Sequence, residues 1–453
     1  SKDALPVETV NVIGTGGLYS TATDMCKFAQ IFMDQKGQAS SVLSKNAVAS
    51  MASPDYLKGT WPAEEPGKEG SLSYGLGWDN VRGEALLDYQ VKELVKGGDT
   101  LSYHSSMVVL PEENMAAVVL SSGGASPYDQ LLAEALLLQA LEGKGKLTAD
   151  TKEVNLAELA AKPTPTAVEI PKSTLENQGY YAGMGSLINV AMTTPGTLSI
   201  TIPDMPDYME KYTHTGNGIF KDRTGLVDLS FVGESNGHTY LHLVGPTIYP
   251  GLGTVNSNVY QAQKITENPL TPSVQKAWAD RMGKNYFVLN EKFSSELYST
   301  LCPVGKVTPL VGGYMGSNKI IHENLAQSVL QIPGTIGRDL SDFSFYKKDG
   351  HEYLKFQSNL SISEDAIGKI YQGTASVCTI GKEGYAKWYK IGAAAGKTMT
   401  VTLPQNASFA IYNQAFACVQ ASTVKGGTSA PLPANGYIVF AGNEGSQFKI
   451  QLH

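Results

Sequence analysis

The chain of 453 residues is 42% hydrophobic and 17% charged, below the ~25% typical of soluble domains, and it carries a net charge of −7. With no basic run this balance excludes a nucleic-acid footprint, and no run of about 18 apolar residues is present to span a bilayer. The 47 glycines and frequent Ser, Thr, Asn and Tyr suit a β-rich extracellular or cell-surface protein, long enough for about two to four domains.

The opening "SKDALPVETVNVIGTGG" reads as internal sequence without a signal peptide, so a missing upstream part is expected. Residues 10–145 mix helix and strand. "STATDMCKFAQIFMD" (20–34) spaces its apolar residues as a helix, with Ser/Thr for the cap and Asp24 in the first turn. "SKNAVASM" (44–51) starts a second helix on a Ser cap. "LSYGLGWDNV" (72–81) and "SSMVVLPEENMAAVVLSS" (105–122) read as strands, the latter a hairpin turning at Pro111–Asn114. "SPYDQLLAEALLLQALEG" (126–143) is a helix capped by Ser126 and stopped at Gly143.

Residues 146–167 read as a linker with a short helix, closed by "KPTPT". From about 168 onward, short alternating runs such as "GTLSITI" and "HTYLHLV" predict antiparallel strands with one wet face. One helix, "TPSVQKAWADRMG" (271–283), interrupts them. The flanking parts resemble each other: "VDLSFVGESNGHTYLHL" (227–243) aligns with "SDFSFYKKDGHEYLKF" (341–356), matching Phe231 to Phe345, Gly237-His238 to Gly350-His351 and Tyr240-Leu241 to Tyr353-Leu354. This predicts two duplicated β-barrel or curved-sheet units, 168–268 and 269–453, the second with extra C-terminal strands that form a sandwich or complete that unit.

Cys26, Cys302, Cys378 and Cys418 form no CxxC and no Cys/His cluster, so neither a structural metal nor another cofactor is expected. Cys26 reads as a buried thiol, and a bridge among the other three stays open. Of the histidines, His238 and His351 follow glycine at hairpins and read as structural. His104 reads as a solvent-facing strand residue near a candidate site.

Three motifs carry that site. "GTGGLYSTATDMCKFAQ" (14–30) resembles a Gly-Gly-Leu-x-Ser-Thr-x-x-Asp-Met segment preceding a helix, "YGLGW" (74–78) is a second signature, and "KGGDTLSYHSSMVVLPEEN" (96–114) resembles a Lys/His-Thr/Ser-Gly strand. In this order, and followed by a helix, they resemble the C-terminal part of the serine β-lactamase and penicillin-binding protein superfamily, in its class C lactamase, esterase and D-aminopeptidase-like branch. The resemblance implies a mixed α+β segment over residues 1–145, antiparallel strands plus a C-terminal helix, followed by all-β barrel or curved-sheet domains that are lipocalin-like in some relatives. It implies that Lys96 and the backbone N–H of Asp99, an oxyanion donor, are catalytic, and that Gly97, Gly98 and Thr100 border substrate. Gly97 departs from the family by lacking a hydroxyl, which removes a contact to a substrate carboxylate.

The family's nucleophile lies in Ser-x-x-Lys upstream of these motifs, with Tyr-x-Asn or Ser-x-Asn between. Residues before Gly14 hold neither. "STVK" (422–425), "SKN" (44–46), "HTG" (214–216) and "GESNG" (233–237) have the spacings in the wrong context. The expectation is therefore part of a secreted serine hydrolase that forms an acyl-enzyme on amides or esters, with D-amino-acid peptides or cell-wall fragments as substrates. Its nucleophile-bearing half is expected elsewhere, in cis or as a second chain, with an exposed sheet edge available for self-association. The rival reading is a non-catalytic surface protein whose β units bind peptide or glycan.

Overall fold

The computed structural model describes residues 16, 18–33, 42–53, 74–81, 91–147, 164–249, 252–338, 340–425 and 427–453. They divide into two compact units. One holds Tyr19–Glu267 together with Val329–Leu340, and the other holds Asn268–Ser328 and Ser341–His453. The predicted short helix of the linker and residues 14, 15 and 17 of the first motif lie outside the described residues.

The first unit opens with α1 (Ala22–Ala29), where the side chain of Thr21 accepts the Asp24 N–H as predicted. Ser44 likewise caps α2 (Lys45–Met51) through the Ala47 N–H. A three-stranded antiparallel sheet follows: β1 (Leu94–Asp99), β2 (Tyr103–Leu110) and β3 (Met115–Ser122), in the order β1-β2-β3. Residues 111–114 form the expected turn, with Asn114 in the left-handed region at φ 54°. Among the described residues, no strand pairs with the outer edge of β3.

The two faces of this sheet bury different partners. Leu94, Met107 and Val109 pack with Phe32 and Trp78 on one face, while Val95, Val108 and Leu110 pack with Ala133, Leu137 and Leu141 of α3 (Ser126–Gly143) on the other. Each such leucine contributes roughly 1.5–3 kcal/mol by leaving water. α3 therefore lies on one face of three adjacent antiparallel strands, as its leucine-rich pattern predicts.

Residues 74–81 are not the predicted strand. They fold as a tight turn joined to the sheet by one bridge, Asn80 to Val95. Gly75 and Gly77 explain why. A side chain on Gly75 would meet Val81 Cγ1 at 2.2 Å and the Met51 carbonyl at 2.8 Å, and Gly77 has φ +82°. Trp78 anchors the turn, 2% exposed and edge-on to Phe32 at 4.9 Å between centroids.

The rest of this unit is a closed eight-stranded barrel: β4 (Gly179–Ala182), β5 (Leu187–Thr193), β6 (Thr197–Ile202), β7 (Met205–Gly216), β8 (Ile219–Lys221), β9 (Asp228–Gly233), β10 (Thr239–Tyr249) and β11 (Gly253–Lys264). Its interior is filled by Tyr181, Val190, Leu198, Phe220, Leu229 and Leu241 among others, so it is a packed core. Residues 329–340 lie against the barrel: Tyr240 Oη donates to the Gln331 carbonyl at 2.6 Å, and the Gln331 N–H donates to Gln263 Oε1 at 2.7 Å.

The second unit begins with α4 (Pro272–Ala279), the predicted helical interruption. A curled nine-stranded sheet follows, built from β12 (Asn285–Val288), β13 (Val304–Lys306), β14 (Leu310–Val311), β15 (Tyr314–Met315), β16 (Asn318–His322), β17 (Leu325–Gln327), β18 (Phe343–Lys348), β19 (His351–Phe356) and β20 (Asn359–Ser363). The duplicated segments are equivalent hairpins: Phe231 faces Leu241 across β9–β10, and Phe345 faces Leu354 across β18–β19. Gly237 and Gly350 both take left-handed φ, +81° and +79°. The first loop is longer, which accounts for the one-residue offset between the copies.

The last strands form a separate sandwich. β21 (Ala375–Thr379), β23 (Thr398–Thr402), β26 (Ser429–Pro431) and β28 (Gln447–Leu452) make one sheet. β22 (Lys387–Lys390), β24 (Ala407–Tyr412), β25 (Cys418–Ala421) and β27 (Tyr437–Gly442) make the other. Met399, Val401, Phe448 and Ile450 meet Phe409, Ile411, Ile438 and Phe440 between them. None of the four cysteines is joined in a disulfide, and Cys26 is half-buried, on an α1 that turns much of its surface to solvent.

Candidate active site

The second and third sequence motifs meet at β1, whereas α1 of the first lies against β3 and β2. Because Leu94 and Val95 face opposite cores, Lys96 and Gly98 project towards the α1 and Trp78 side, and Gly97 and Asp99 towards α3. Beyond the bridge to Asn80, no strand among the described residues pairs with the edge of β1 away from β2. Backbone groups alternate along it: the Val95 N–H donates to the Asn80 carbonyl at 2.7 Å, and the Gly97 N–H donates to Asp79 Oδ2 at 2.8 Å. The next N–H on that edge belongs to Asp99, since Asp99 stands opposite His104 two residues further along the same register. An oxyanion donor must point this way.

Asp79 is the residue sequence reasoning missed. It directly follows Trp78, so the buried indole delivers its carboxylate to the β1 edge. There it binds Lys96 Nζ through Oδ1 at 3.2 Å and Oδ2 at 3.0 Å. Lys96 Nζ also donates to the Gly97 carbonyl. The pair is about one-third exposed on each side. Its signal in the sequence was an acid one residue beyond an aromatic anchor, legible only once the turn was known to touch β1.

Asp99 uses its carboxylate as well as its backbone. Oδ1 accepts the Ser126 N–H at 2.8 Å and faces His104 Nδ1 at 2.7 Å, while Oδ2 accepts the Ser126 hydroxyl at 2.6 Å. Burial raises the carboxyl pKa, but the bonds from Ser126 and His104 outweigh it and hold the group below its ordinary value. Ser126 is therefore not the cap of α3. The capping position is Ala125, which offers no side chain, and Asp99 reaches across from β1 to do that work. His104 is 9% exposed, not solvent-facing, because this bond draws its ring inward. Asp129, in the first turn of α3, accepts the Ser121 hydroxyl at 3.0 Å, and burial raises its pKa. At the same end of α3, Tyr128 packs edge-on to Tyr249 of the barrel at 4.9 Å.

The two glycines have separate reasons. A side chain on Gly98 would meet Ser105 Oγ at 2.8 Å, and one on Gly97 would meet Ser126 Oγ at 3.0 Å. A hydroxyl-bearing side chain at position 97 would press on the serine that clamps Asp99, which would have to give way by a few tenths of an ångström. Thr100 closes the β1–β2 turn, where its Oγ1 accepts the Tyr103 N–H at 3.0 Å.

The sequence decoys have structural duties. Ser44 caps α2, Ser422 Oγ accepts the Phe409 N–H, and "GESNG" turns between β9 and β10. His214 is buried, with its Nδ1 3.0 Å from the Val168 carbonyl. A further Ser-x-x-Lys, Ser273 to Lys276, was overlooked in the sequence. It opens α4, but Lys276 binds Asp280 at 2.7 Å and Ser273 donates to Glu323, so the two are not paired. Among the described residues, no group of His, Cys, Asp or Glu is arranged to hold a metal ion.

The family model described as Beta-lactamase matches residues 2–141, the segment that holds β1–β3, α3 up to Leu141 and all three motifs. No curated protein matches the chain. Among solved structures, the crystal structure of SurE with D-Leu is 17% identical, covering 55% of this chain and 50% of that one, with a TM-score of 0.33. The structure of the octameric penicillin-binding protein homologue from Pyrococcus abyssi is 15% identical, covering 76% and 46%, with a TM-score of 0.21. The chain thus spans about half the length of these solved chains.

Proposed function

We propose that the β-lactamase-type segment of this chain forms the substrate-facing edge of a serine acyl-hydrolase site. The match of residues 2–141 supports a serine hydrolase family of the β-lactamase and penicillin-binding kind. One observation carries the finer reading: the Asp99 N–H lies on the edge of β1 away from β2, beside Lys96, with its carboxylate clamped by Ser126 and His104. Such a donor is fixed before charge develops on a substrate oxygen, which is what makes it effective. The nucleophile is contributed by polypeptide outside residues 1–453, in cis or as a second chain, and the outer edge of β3 is where its strands dock. Attack by that serine on an amide or ester carbonyl expels the amine or alcohol and leaves an acyl-enzyme, which water then hydrolyses. Tyr249, packed on Tyr128, supports a role for the barrel in shaping access. Placement of the protein at the cell surface or outside the cell belongs to the same proposal.

The test is labelling with a fluorophosphonate, mapped by mass spectrometry. Residues 1–453 alone should remain unlabelled and should not turn over a p-nitrophenyl ester or a D-amino-acid amide. The same residues joined to the polypeptide encoded upstream should be labelled at an upstream serine and gain turnover. Stoichiometric labelling of any serine within 1–453 would refute the proposal, as would a joined protein that neither labels nor turns over.

A further inference from the structure

The surroundings of Lys96 bear on which substrates such a site accepts. An ammonium has three N–H donors. Around Lys96 three acceptors are in place: Asp79 Oδ1 at 3.2 Å, Asp79 Oδ2 at 3.0 Å and the Gly97 carbonyl. The nearest backbone donor on the same edge, the Gly97 N–H, is given to Asp79 Oδ2 at 2.8 Å. Position 97 has no hydroxyl, and Ser126 Oγ stands 3.0 Å from where its Cβ would be. Among the described residues, the groups that touch Lys96 are thus already bound to an internal carboxylate or carbonyl, and the Asp99 N–H further along the edge is left for the acyl oxygen.

That carboxylate is firmly held. The Asp79 N–H donates to the Val95 carbonyl at 2.9 Å, and Asn80 exchanges backbone hydrogen bonds with Val95. With Trp78 buried before it, the side chain is delivered to this place by the fold. A substrate carboxylate approaching Lys96 must displace Asp79 and would meet its negative charge, and like charges brought together at a partly desolvated edge cost binding.

We infer that Asp79 is a specificity-determining residue that occupies the anion subsite beside Lys96, so that the site takes acyl substrates ending in a neutral or cationic group, amides or esters, and discriminates against free carboxylates. This rests on the acyl-hydrolase reading above and narrows its substrate class. Lys96, neutralised in this way, acts on the nucleophile's side of the reaction and does not hold a substrate anion.

Binding of two small probes to residues 1–453 tests the inference without any need for a nucleophile. The probes are N-acetyl-D-alanine and its amide, followed by NMR shifts of labelled protein. The wild-type chain should bind the amide at least as well as the acid. Asp79→Asn retains an acceptor for the Gly97 N–H and frees Lys96, so the ratio should swing at least about tenfold towards the acid, equivalent to ~1.4 kcal/mol. Adding Lys96→Ala to that variant should abolish the swing. A wild-type preference for the acid that depends on Lys96, an unchanged ratio in Asp79→Asn, or no binding of the acid to that variant would each overturn the inference. Should Asp79→Asn fail to fold, trace acetylation of the wild-type chain serves instead: Lys96 should react several-fold more slowly than the exposed Lys144, and N-acetyl-D-alanine should not protect it further. Protection of Lys96 by the acid would overturn the inference. Turnover in the joined protein is read separately, so its absence would remove the acyl-hydrolase reading while the probe ratio still reports on Asp79.

Discussion

Gly97 shows how a single residue is decided by its neighbours. The resemblance calls for Thr or Ser there, and either would crowd Ser126, which stands 3.0 Å from the added Cβ while it clamps Asp99. Gly97→Thr should therefore destabilise the chain by about 1–3 kcal/mol through overpacking. Ser126→Gly removes the obstructing Cβ and hydroxyl, so the double variant should lose less than the sum of the two single losses, by 0.5 kcal/mol or so or more. Denaturant unfolding of the four proteins measures this, and strict additivity would show that Ser126 does not determine the residue at 97. That Lys96, Gly97, Gly98 and Asp99 share one strand was legible in the sequence, because a strand motif keeps its members together. Asp79, His104 and Ser126 were not, since each joins the site through a tertiary contact that no spacing encodes: a turn laid against a strand edge, a ring drawn inward, and a helix end capped from another element.

At the scale of elements, the junction of β1 with α3 contains two buried acids. Glu93, immediately before β1, is fully buried, and Glu134 of α3 is 4% exposed. Among the described residues neither Glu93 carboxyl oxygen has a partner in hydrogen-bonding geometry, whereas Glu134 accepts from Gln130 Nε2 at 2.7 Å. Burial first, and then the charge of Glu134, pushes the Glu93 pKa well above the ordinary value of 4.5. Burial also raises Glu134, partly offset by its bond from Gln130 and by the adjoining Glu93 carboxyl. A carboxyl whose folded pKa is raised keeps its proton in the folded state while the unfolded chain releases it. Its contribution to stability is thus complete below the unfolded pKa and is lost as pH rises through the folded one. Glu93→Gln fixes the neutral form. Its melting temperature should match that of the wild type below about pH 4.5 and exceed it increasingly as pH rises towards neutrality. Thermal unfolding across pH checks this, and a constant difference would show that the Glu93 pKa is not raised in the folded state. The helix and the hairpin before it were legible locally, but the face that α3 buries was not, because leucines also stand on its exposed side at Leu132 and Leu136. The strand expected over 72–81 failed because Gly75 and Gly77 bend a segment whose composition otherwise suits a strand.

For the whole molecule, duplication was legible because matched residues fall at matched cross-strand positions, Phe231 with Leu241 and Phe345 with Leu354. Whether the copies closed was not legible: the first makes a barrel, while the second is an open curled sheet followed by a sandwich. Closure depends on how end strands meet, and short alternating runs carry no record of that. The function proposed here likewise turns on a partnership: β1 offers an edge, a cation and an N–H, and the proposal assigns the nucleophile to other polypeptide. The most direct test of that central claim is kcat/KM for a p-nitrophenyl ester in residues 1–453 joined to their upstream polypeptide, compared with the same protein carrying Lys96→Ala. Loss of about a hundredfold with the fold intact is the result this account predicts. An unchanged kcat/KM would contradict it and would leave β1 a structural strand.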